Sequence, residues 1–412
     1  ECLSDSKNFM LQRTGLVVSI IESETDYAFS IKYDSKKKGF TEDSYATIAK
    51  VEQCGFTGFT DQVKRLEKEY QSQQEKKTGE EDENMKITAG LGSVDDYVRY
   101  VKAGADEIFC GYVPFSWAEK YGTVMALNRR EVLSYNVQIG SYSELEILSE
   151  MVRRYQKPVH LTFNSLYYLP EQYAEITGII QKCCRIGFES YIIADPALLV
   201  YLREHGIDCE VHLSGDLGTV NTAMTDVFAK LTPKRIIFQR KNTIAEMQEV
   251  IRHIRTEHKA QTITEFEAFA LNEMCQFSGA FCNSLHCDEM GYLCRVPYWK
   301  RPVEKKIPEL SVKGTVPGEI MVEEGEDLCD ESGYLCGESG CGLCALKQLS
   351  NAGITHLKLV GRGNYADFME RDIRNLRWAL DILDTAKSDA EYRRKMKTEL
   401  FPKGCGHLCY YR

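Results

Sequence analysis

The sequence contains no run of eighteen or more apolar residues, which excludes a membrane-spanning helix. It has no Gly-x-Ser-x-Gly and no His-Glu-x-x-His, so neither a serine-hydrolase elbow nor a zinc-protease helix has support. Positive charge is in deficit: 51 lysines and arginines face 61 aspartates and glutamates, a net charge of −10. That balance disfavours bulk electrostatic binding of nucleic acid and leaves only a local basic groove open. Apolar and charged residues, at 43% and 27% of 412, are in ordinary globular proportion, so a mostly disordered chain is excluded. The length suits one large domain with an appendage, or two to three domains.

Cysteine is the excess. There are 16, and ten lie between Cys275 and Cys409. Disulfide-dense scaffolds are usually small secreted domains that cannot build a core. A large chain with its cysteines crowded into one region points instead to metal or iron–sulfur ligation in a reducing cytoplasm. Cys2, Cys54, Cys183, Cys184 and Cys209 lie outside the crowd and read as buried small side chains.

Residues 1–72 read as a small α+β appendage. Leu16-Val-Val-Ser-Ile-Ile and Tyr27-Ala-Phe-Ser-Ile-Lys-Tyr are expected to pair as strands, and Val63 to Gln74 has helix-forming composition. The polar stretch 73–84 reads as a linker. From Met85 onward short apolar runs alternate with helix-period segments: Lys86-Ile-Thr-Ala, Glu107-Ile-Phe-Cys, Val159-His-Leu-Thr-Phe, Tyr191-Ile-Ile-Ala, Glu210-Val-His-Leu, Arg235-Ile-Ile-Phe, Glu265-Phe-Glu-Ala-Phe and His356-Leu-Lys-Leu-Val. Helices are expected at Ser93–Ala103, Ser143–Tyr155, Glu171–Ile186 and Thr243–Glu257, and Gly104, Gly187, Gly206 and Gly353 mark helix ends. Eight such units over 85–390 predict an α/β protein with a (β/α)8 TIM-type barrel, with a doubly wound open sheet as the rival and 391–412 as a C-terminal tail. The alternation breaks once, at a cysteine-rich insertion over 270–355 between strands 7 and 8. A loop following a barrel strand lies on the active-site face, so fold and cysteines point to one place.

The insertion holds Cys275, Cys282, Cys287, Cys294, Cys329, Cys336, Cys341 and Cys344. Cys341 and Cys344 form the single Cys-x2-Cys pair, whereas zinc ribbons usually show two. The wide Cys275-x6-Cys282 spacing is also less natural for a zinc knuckle. Zinc and one or two iron–sulfur clusters both stay open. His286 reads equally as a ligand or a polar loop residue. Gly361-Arg-Gly363 follows the eighth strand, where barrel loops often bind anions, so Arg362 is either a clamp for a carboxylate or phosphate or a solvated turn residue. Glu319 to Glu331 reads as a solvated acidic loop.

These residues carry a resemblance. Met85-Lys-Ile-Thr-Ala-Gly-Leu-Gly-Ser-Val and Ala103-Gly-Ala-Asp-Glu-Ile-Phe-Cys-Gly111 resemble the opening of the U32 peptidase-like (collagenase-like) family. Val159-His-Leu-Thr-Phe-Asn-Ser-Leu166 resembles its third strand, and Val211-His-Leu-Ser with Asn221 its fifth. Glu267-Ala-Phe followed by Cys275-x6-Cys282, with Ser278-Gly279, resembles the family's cysteine signature. Cys294-Arg-Val-Pro-Tyr, Leu343-Cys-Ala-Leu and Ile354-Thr-His-Leu-Lys-Leu-Val-Gly-Arg362 resemble its later elements. The chain departs at Leu271-Asn272, which stand for a His-Gly, and at Val360, which stands for a glutamate. Cys336, Cys341, Cys405 and Cys409 are additions.

The resemblance implies a [4Fe–4S] cluster, as in relatives that hydroxylate ubiquinone precursors or tRNA and rRNA bases without oxygen. Cys275 and Cys282 are the leading ligands, with Cys294 third and Cys287 its rival. Cys329 or Cys336 is the fourth, and Cys341 and Cys344 are alternates or part of a second site; zinc is the alternative metal. Arg240, Arg362, Asn164, His212 and Glu267 are the substrate-binding candidates. A small molecule, RNA or a peptide is the substrate class, undetermined among the three. The expected activity is an iron–sulfur hydroxylase or related modifying oxidoreductase. The rivals are the peptidase of the family name and a metal-stabilised scaffold that takes a protein partner through residues 1–84.

Overall fold

The computed structural model describes residues 85–122, 125–129, 137–219, 221–258, 263–275, 282 and 328–411, together with five strands between Cys2 and Phe40. The expected helix at 63–74, the linker at 73–84, Cys54, His286, Cys287 and Cys294 lie outside the described residues, as does most of the acidic stretch 319–331. The chain divides into two compact units, 1–83 and 84–412.

In the first unit, β1 (Cys2–Ser4), β2 (Lys7–Gln12), β3 (Gly15–Glu22), β4 (Thr25–Asp34) and β5 (Gly39–Phe40) form an antiparallel sheet in chain order. β3 and β4 contain the two runs expected to pair as strands. They pair from Gly15 opposite Lys32 to Glu22 opposite Thr25.

In the second unit all eight expected runs are strands, and all pair in parallel. They are β6 (Lys86–Leu91), β7 (Glu107–Tyr112), β9 (Val159–Phe163), β10 (Ser190–Ile193), β11 (Glu210–Leu213), β12 (Arg235–Ile237), β13 (Glu265–Leu271) and β14 (His356–Leu359). β14 pairs with β6, and β6 pairs with β7, so the sheet closes. Closure decides for the (β/α)8 barrel against the open sheet. A two-residue strand, β8 (Gln138–Ile139), adds in parallel to the end of β7.

The strands lie inside a ring of helices whose starts follow capping chemistry. Ser141 and Thr243 each accept from the backbone three residues on, while Glu144 and Glu246 reach back, two complete capping boxes. Helix Ala366–Thr385 buries Met369, Ile373, Leu376, Leu380 and Leu383, one stripe at helical spacing. The first expected helix begins later than its composition suggests: Val94–Asp96 is a 3-10 turn, and the α-helix runs Tyr97–Ala103. It ends on Gly104 at φ +115°, where a side chain would be strained. Among the described residues no helix is long and apolar enough to cross a membrane.

The segment expected only as a tail is folded. Helix Asp389–Lys395 and a turn at Met396–Leu400 carry it back to the barrel. There the Cys341 N–H donates to the Leu408 carbonyl at 2.8 Å, and the Tyr411 hydroxyl donates to the Phe269 carbonyl at 2.8 Å.

Candidate functional site

The barrel interior has two charged levels. Toward the N-terminal ends of the strands, Arg235 is almost wholly buried and reaches three carboxylates: Glu107 at 2.8 Å, Glu265 at 2.7 Å and Glu267 at 2.9 Å. Glu107 also accepts hydrogen bonds from His160 at 2.9 Å and His356 at 3.2 Å. His160 meets Ser190 Oγ at 2.5 Å through its other nitrogen. Burial alone would raise Glu107, but the Arg235 and His160 charges outweigh it and hold the carboxyl well below its usual range. His212, expected as a substrate-binding residue, is at this level instead. It is fully buried, packs on the His160 ring at 4.5 Å and hydrogen-bonds Glu210 at 2.9 Å. Burial, and then the Arg235 charge, push its imidazole toward the neutral form.

Glu267, another substrate-binding candidate, is fully buried between the levels. It pairs with Lys358 Nζ at 2.7 Å as well as with Arg235. Burial works to raise its pKa, but the Lys358 and Arg235 charges win and hold it at about 2. Burial also draws the Lys358 ammonium down, while Glu267 pulls it back. With these hydrogen bonds in place the pair stays ionised. Glu267 therefore positions a lysine rather than meeting a substrate.

That lysine lies in the mouth at the C-terminal ends of the strands, its ammonium 3.8 Å from the centroid of the Phe109 ring. A cavity of about 80 Å³ opens there. Its apolar base is Phe109, Ile192, Ile237, Phe269 and Val360. Four cationic side chains line it: Arg129, Arg240, Lys358 and Arg362. The acidic lining is Asp216, which pairs with Arg129 at 3.4 Å, and Glu273. Arg240 lies over the Phe269 ring at 4.0 Å, and its buried Nε has no hydrogen-bond partner among the described residues. Arg362 bonds the neutral oxygens of Gln138 and Thr162, both at 3.1 Å. Asn164 also lines the cavity and accepts from the Arg129 backbone at 3.3 Å.

Two glycines make room for Arg362. A Cβ on Gly111 would lie 2.5 Å from the Arg362 Nη1 and 1.5 Å from Gln138 Oε1. A Cβ on Gly90 would lie 3.2 Å from the Arg362 Cγ. Arg240 and Arg362 were expected here from their positions after strands, and Asn164, a candidate through the family resemblance, lines the same cavity. Arg129 and Lys358 were not expected here. Lys358 has a legible signal in retrospect: with His356 it occupies alternate positions of a buried strand, which puts both on one face of the sheet.

The expected cysteine ligands divide. Cys282 is buried, and its carbonyl accepts from Arg129 Nη1 at 2.7 Å, which ties its backbone to one of the mouth arginines. Cys275 is half-buried near Tyr410, whose ring lies beside Phe269 at 6.5 Å. Cys329 precedes Asp330, which pairs with Arg371. Cys336, Cys341 and Cys344 line a separate cavity with Cys405 and Cys409, two cysteines absent from the expected ligand set. Cys183 and Cys209 are buried, as expected of small core side chains. One further trio of ligand atoms lies on the surface: Asp226 with His253 and His258, both at 2.7 Å.

A (β/α)8 barrel with cationic groups and cysteines at its C-terminal face is the class these features define. The family model for peptidase family U32 matches residues 92–407, and the chain belongs to that family. No curated protein sequence matches it. Among solved structures, the U32 peptidase Mk0906 is similar at 13% identity and a TM-score of 0.35, covering 47% of this chain and 72% of that one. A 2,3-dimethylmalate lyase aligns at 11% identity and a TM-score of 0.34, over 78% of this chain and 86% of that one. A dihydrodipicolinate synthase from Bacteroides thetaiotaomicron aligns at 11% and 0.28, over 45% and 62%.

Proposed function

We propose that the chain is a [4Fe–4S]-dependent modifying oxidoreductase of the oxygen-independent hydroxylase type, acting on an anionic substrate bound in the barrel mouth. The observation that supports this most is the convergence of Arg129, Arg240, Lys358 and Arg362 on one cavity, with Cys282 hydrogen-bonded to Arg129. Arginine forks and a buried ammonium suit a carboxylate or phosphate, whether on a small molecule or on RNA. Thiolates are soft donors suited to iron–sulfur clusters. Cys275 and Cys282 would hold the cluster, with Cys294 and Cys329 as the remaining expected donors, and when bound it would supply one-electron chemistry. The residues of the mouth bind and orient the anion.

One observation favours the peptidase reading: Ser190, His160 and Glu107 are linked as in a hydrolytic triad. Ser190 and Glu107 are, however, the first residues of β10 and β7, and Arg235 also occupies Glu107. Barrel enzymes work at the opposite end of their strands. We read the chain of hydrogen bonds as part of the charged core. The test is gelatin and peptide digestion by anaerobically purified protein. No cleavage is expected. Cleavage that persists after iron removal and disappears in Ser190→Ala would establish the peptidase instead.

A further inference from the structure

We infer that Cys341, Cys344, Cys405 and Cys409 form a second iron–sulfur site, holding a [4Fe–4S] cluster of its own and separate from the one served by Cys275 and Cys282. The two pairs are distant in sequence and are joined by backbone. Cys341 and Cys409 form a parallel bridge: the Cys341 N–H donates to Leu408, and the Tyr410 N–H donates to the Cys341 carbonyl, each at 2.8 Å. This brings a Cys-x2-Cys turn and a Cys-x3-Cys turn to one cavity of about 40 Å³. None of the four is in a disulfide. The first turn is built closely around its sulfur, since a Cβ on Gly337 would meet Cys341 Cβ at 2.6 Å and Sγ at 3.1 Å.

Three features select the ligand set and the metal. Cys336 touches the same cavity, but its thiol is engaged by Tyr334 and Asn375 beside Asp372, which leaves the other four. The Leu343 N–H donates to the Cys341 sulfur, and N–H bonds to sulfur tune iron–sulfur centres. Spacing argues against a single zinc ion. Tetrahedral zinc at about 2.3 Å from each sulfur sets the sulfurs about 3.8 Å apart. Among the described residues only Asp226, His253 and His258 place three ligand atoms within 4.8 Å of one another. No three described sulfurs of this cavity lie that close together, a spacing too wide for one zinc ion.

The inference does not depend on the mouth cluster, and one experiment separates the two. Iron and acid-labile sulfide are measured in anaerobically purified full-length protein and in three variants: Cys405→Ala/Cys409→Ala, Cys275→Ala/Cys282→Ala and Cys336→Ala. We expect about eight irons in the parent, about four in each double variant and no loss in Cys336→Ala. If Cys275→Ala/Cys282→Ala keeps all the iron while Cys405→Ala/Cys409→Ala loses it, the second site stands and the mouth cluster falls. Iron unchanged in Cys405→Ala/Cys409→Ala, or zinc without sulfide, overturns the second site. Should that variant not fold, stripping iron from the parent replaces it. Hydrogen exchange at 337–344 and 404–411 should then rise, because metal binding and local folding are coupled; unchanged protection overturns the inference.

Discussion

The two ends of the barrel interior carry charge in contrasting ways. At the strand starts, Arg235 is surrounded by Glu107, Glu265 and Glu267, and His160 and His356 turn toward Glu107. At the mouth, Arg240 lies on a ring, Lys358 faces another, and Arg362 bonds neutral oxygens. The first arrangement satisfies itself, as a buried ionic core must. The second presents cations to a cavity. Charged side chains inside one barrel therefore separate by level: Arg235 is enclosed by carboxylates, whereas Arg129, Arg240, Lys358 and Arg362 line a cavity.

The sharpest contrast should be in stability. Glu267→Ala leaves Lys358 and Arg235 buried without their shared carboxylate, and we expect a loss of about 3–5 kcal/mol. Arg240→Ala removes a half-buried cation–π contact and should cost about 1 kcal/mol. Urea unfolding of the two variants measures the difference; equal losses would erase the distinction between the two ends.

The second test is pH. The Glu267 carboxyl is held at about 2 in the fold, below its unfolded value. Its contribution is present above the unfolded pKa and disappears as pH falls toward 2, so acid unfolding should be steep below about pH 4.5. Asp372 has the opposite sign. Burial raises it to about 6, so its charge opposes folding above that pH, and its contribution improves as pH falls from 6 toward the unfolded value. Asp372→Asn should flatten stability between about pH 4 and pH 6, the window between the unfolded and folded values. An unchanged slope there would show that Asp372 is not the titrating group.

Gly111→Ala tests the mouth alone. The added methyl collides with the Arg362 guanidinium and Gln138, so we expect a destabilisation of about 1–3 kcal/mol and displacement of Arg362. Phosphate, used as a probe anion, should bind at least several-fold more weakly to this variant in calorimetry. Full retention of binding would remove Arg362 from the anion site. The smallest effect belongs to Ser190→Ala, which removes one buried hydrogen bond and should cost about 1 kcal/mol with no change in ligand binding.

The barrel was legible because each strand is a short apolar run between helix-period segments, and because Gly104 and its counterparts punctuate them. The level of a residue along its strand was harder to read. Glu267 and Phe269 share one face of β13, yet Phe269 lines the mouth while Glu267 lies below it, paired with Arg235 and Lys358. His212 and Glu267, candidates for substrate binding, lie among the charged groups below the mouth, and nothing in the spacing of a strand marks that depth. Arg240 and Arg362 were found because position after a barrel strand is itself a location. Cys405 and Cys409 had no such address. Only the return of the chain to Cys341 sets them beside Cys344, and spacing along a sequence does not record that return.

The claim that anion site and cluster share the mouth can be tested by electron paramagnetic resonance of the reduced, anaerobically purified protein. Adding phosphate should perturb the signal that depends on Cys275 and Cys282, and Arg362→Ala should abolish that perturbation while leaving the iron content intact. A cluster signal indifferent to phosphate in the parent protein, or perturbed equally in the variant, would contradict the claim.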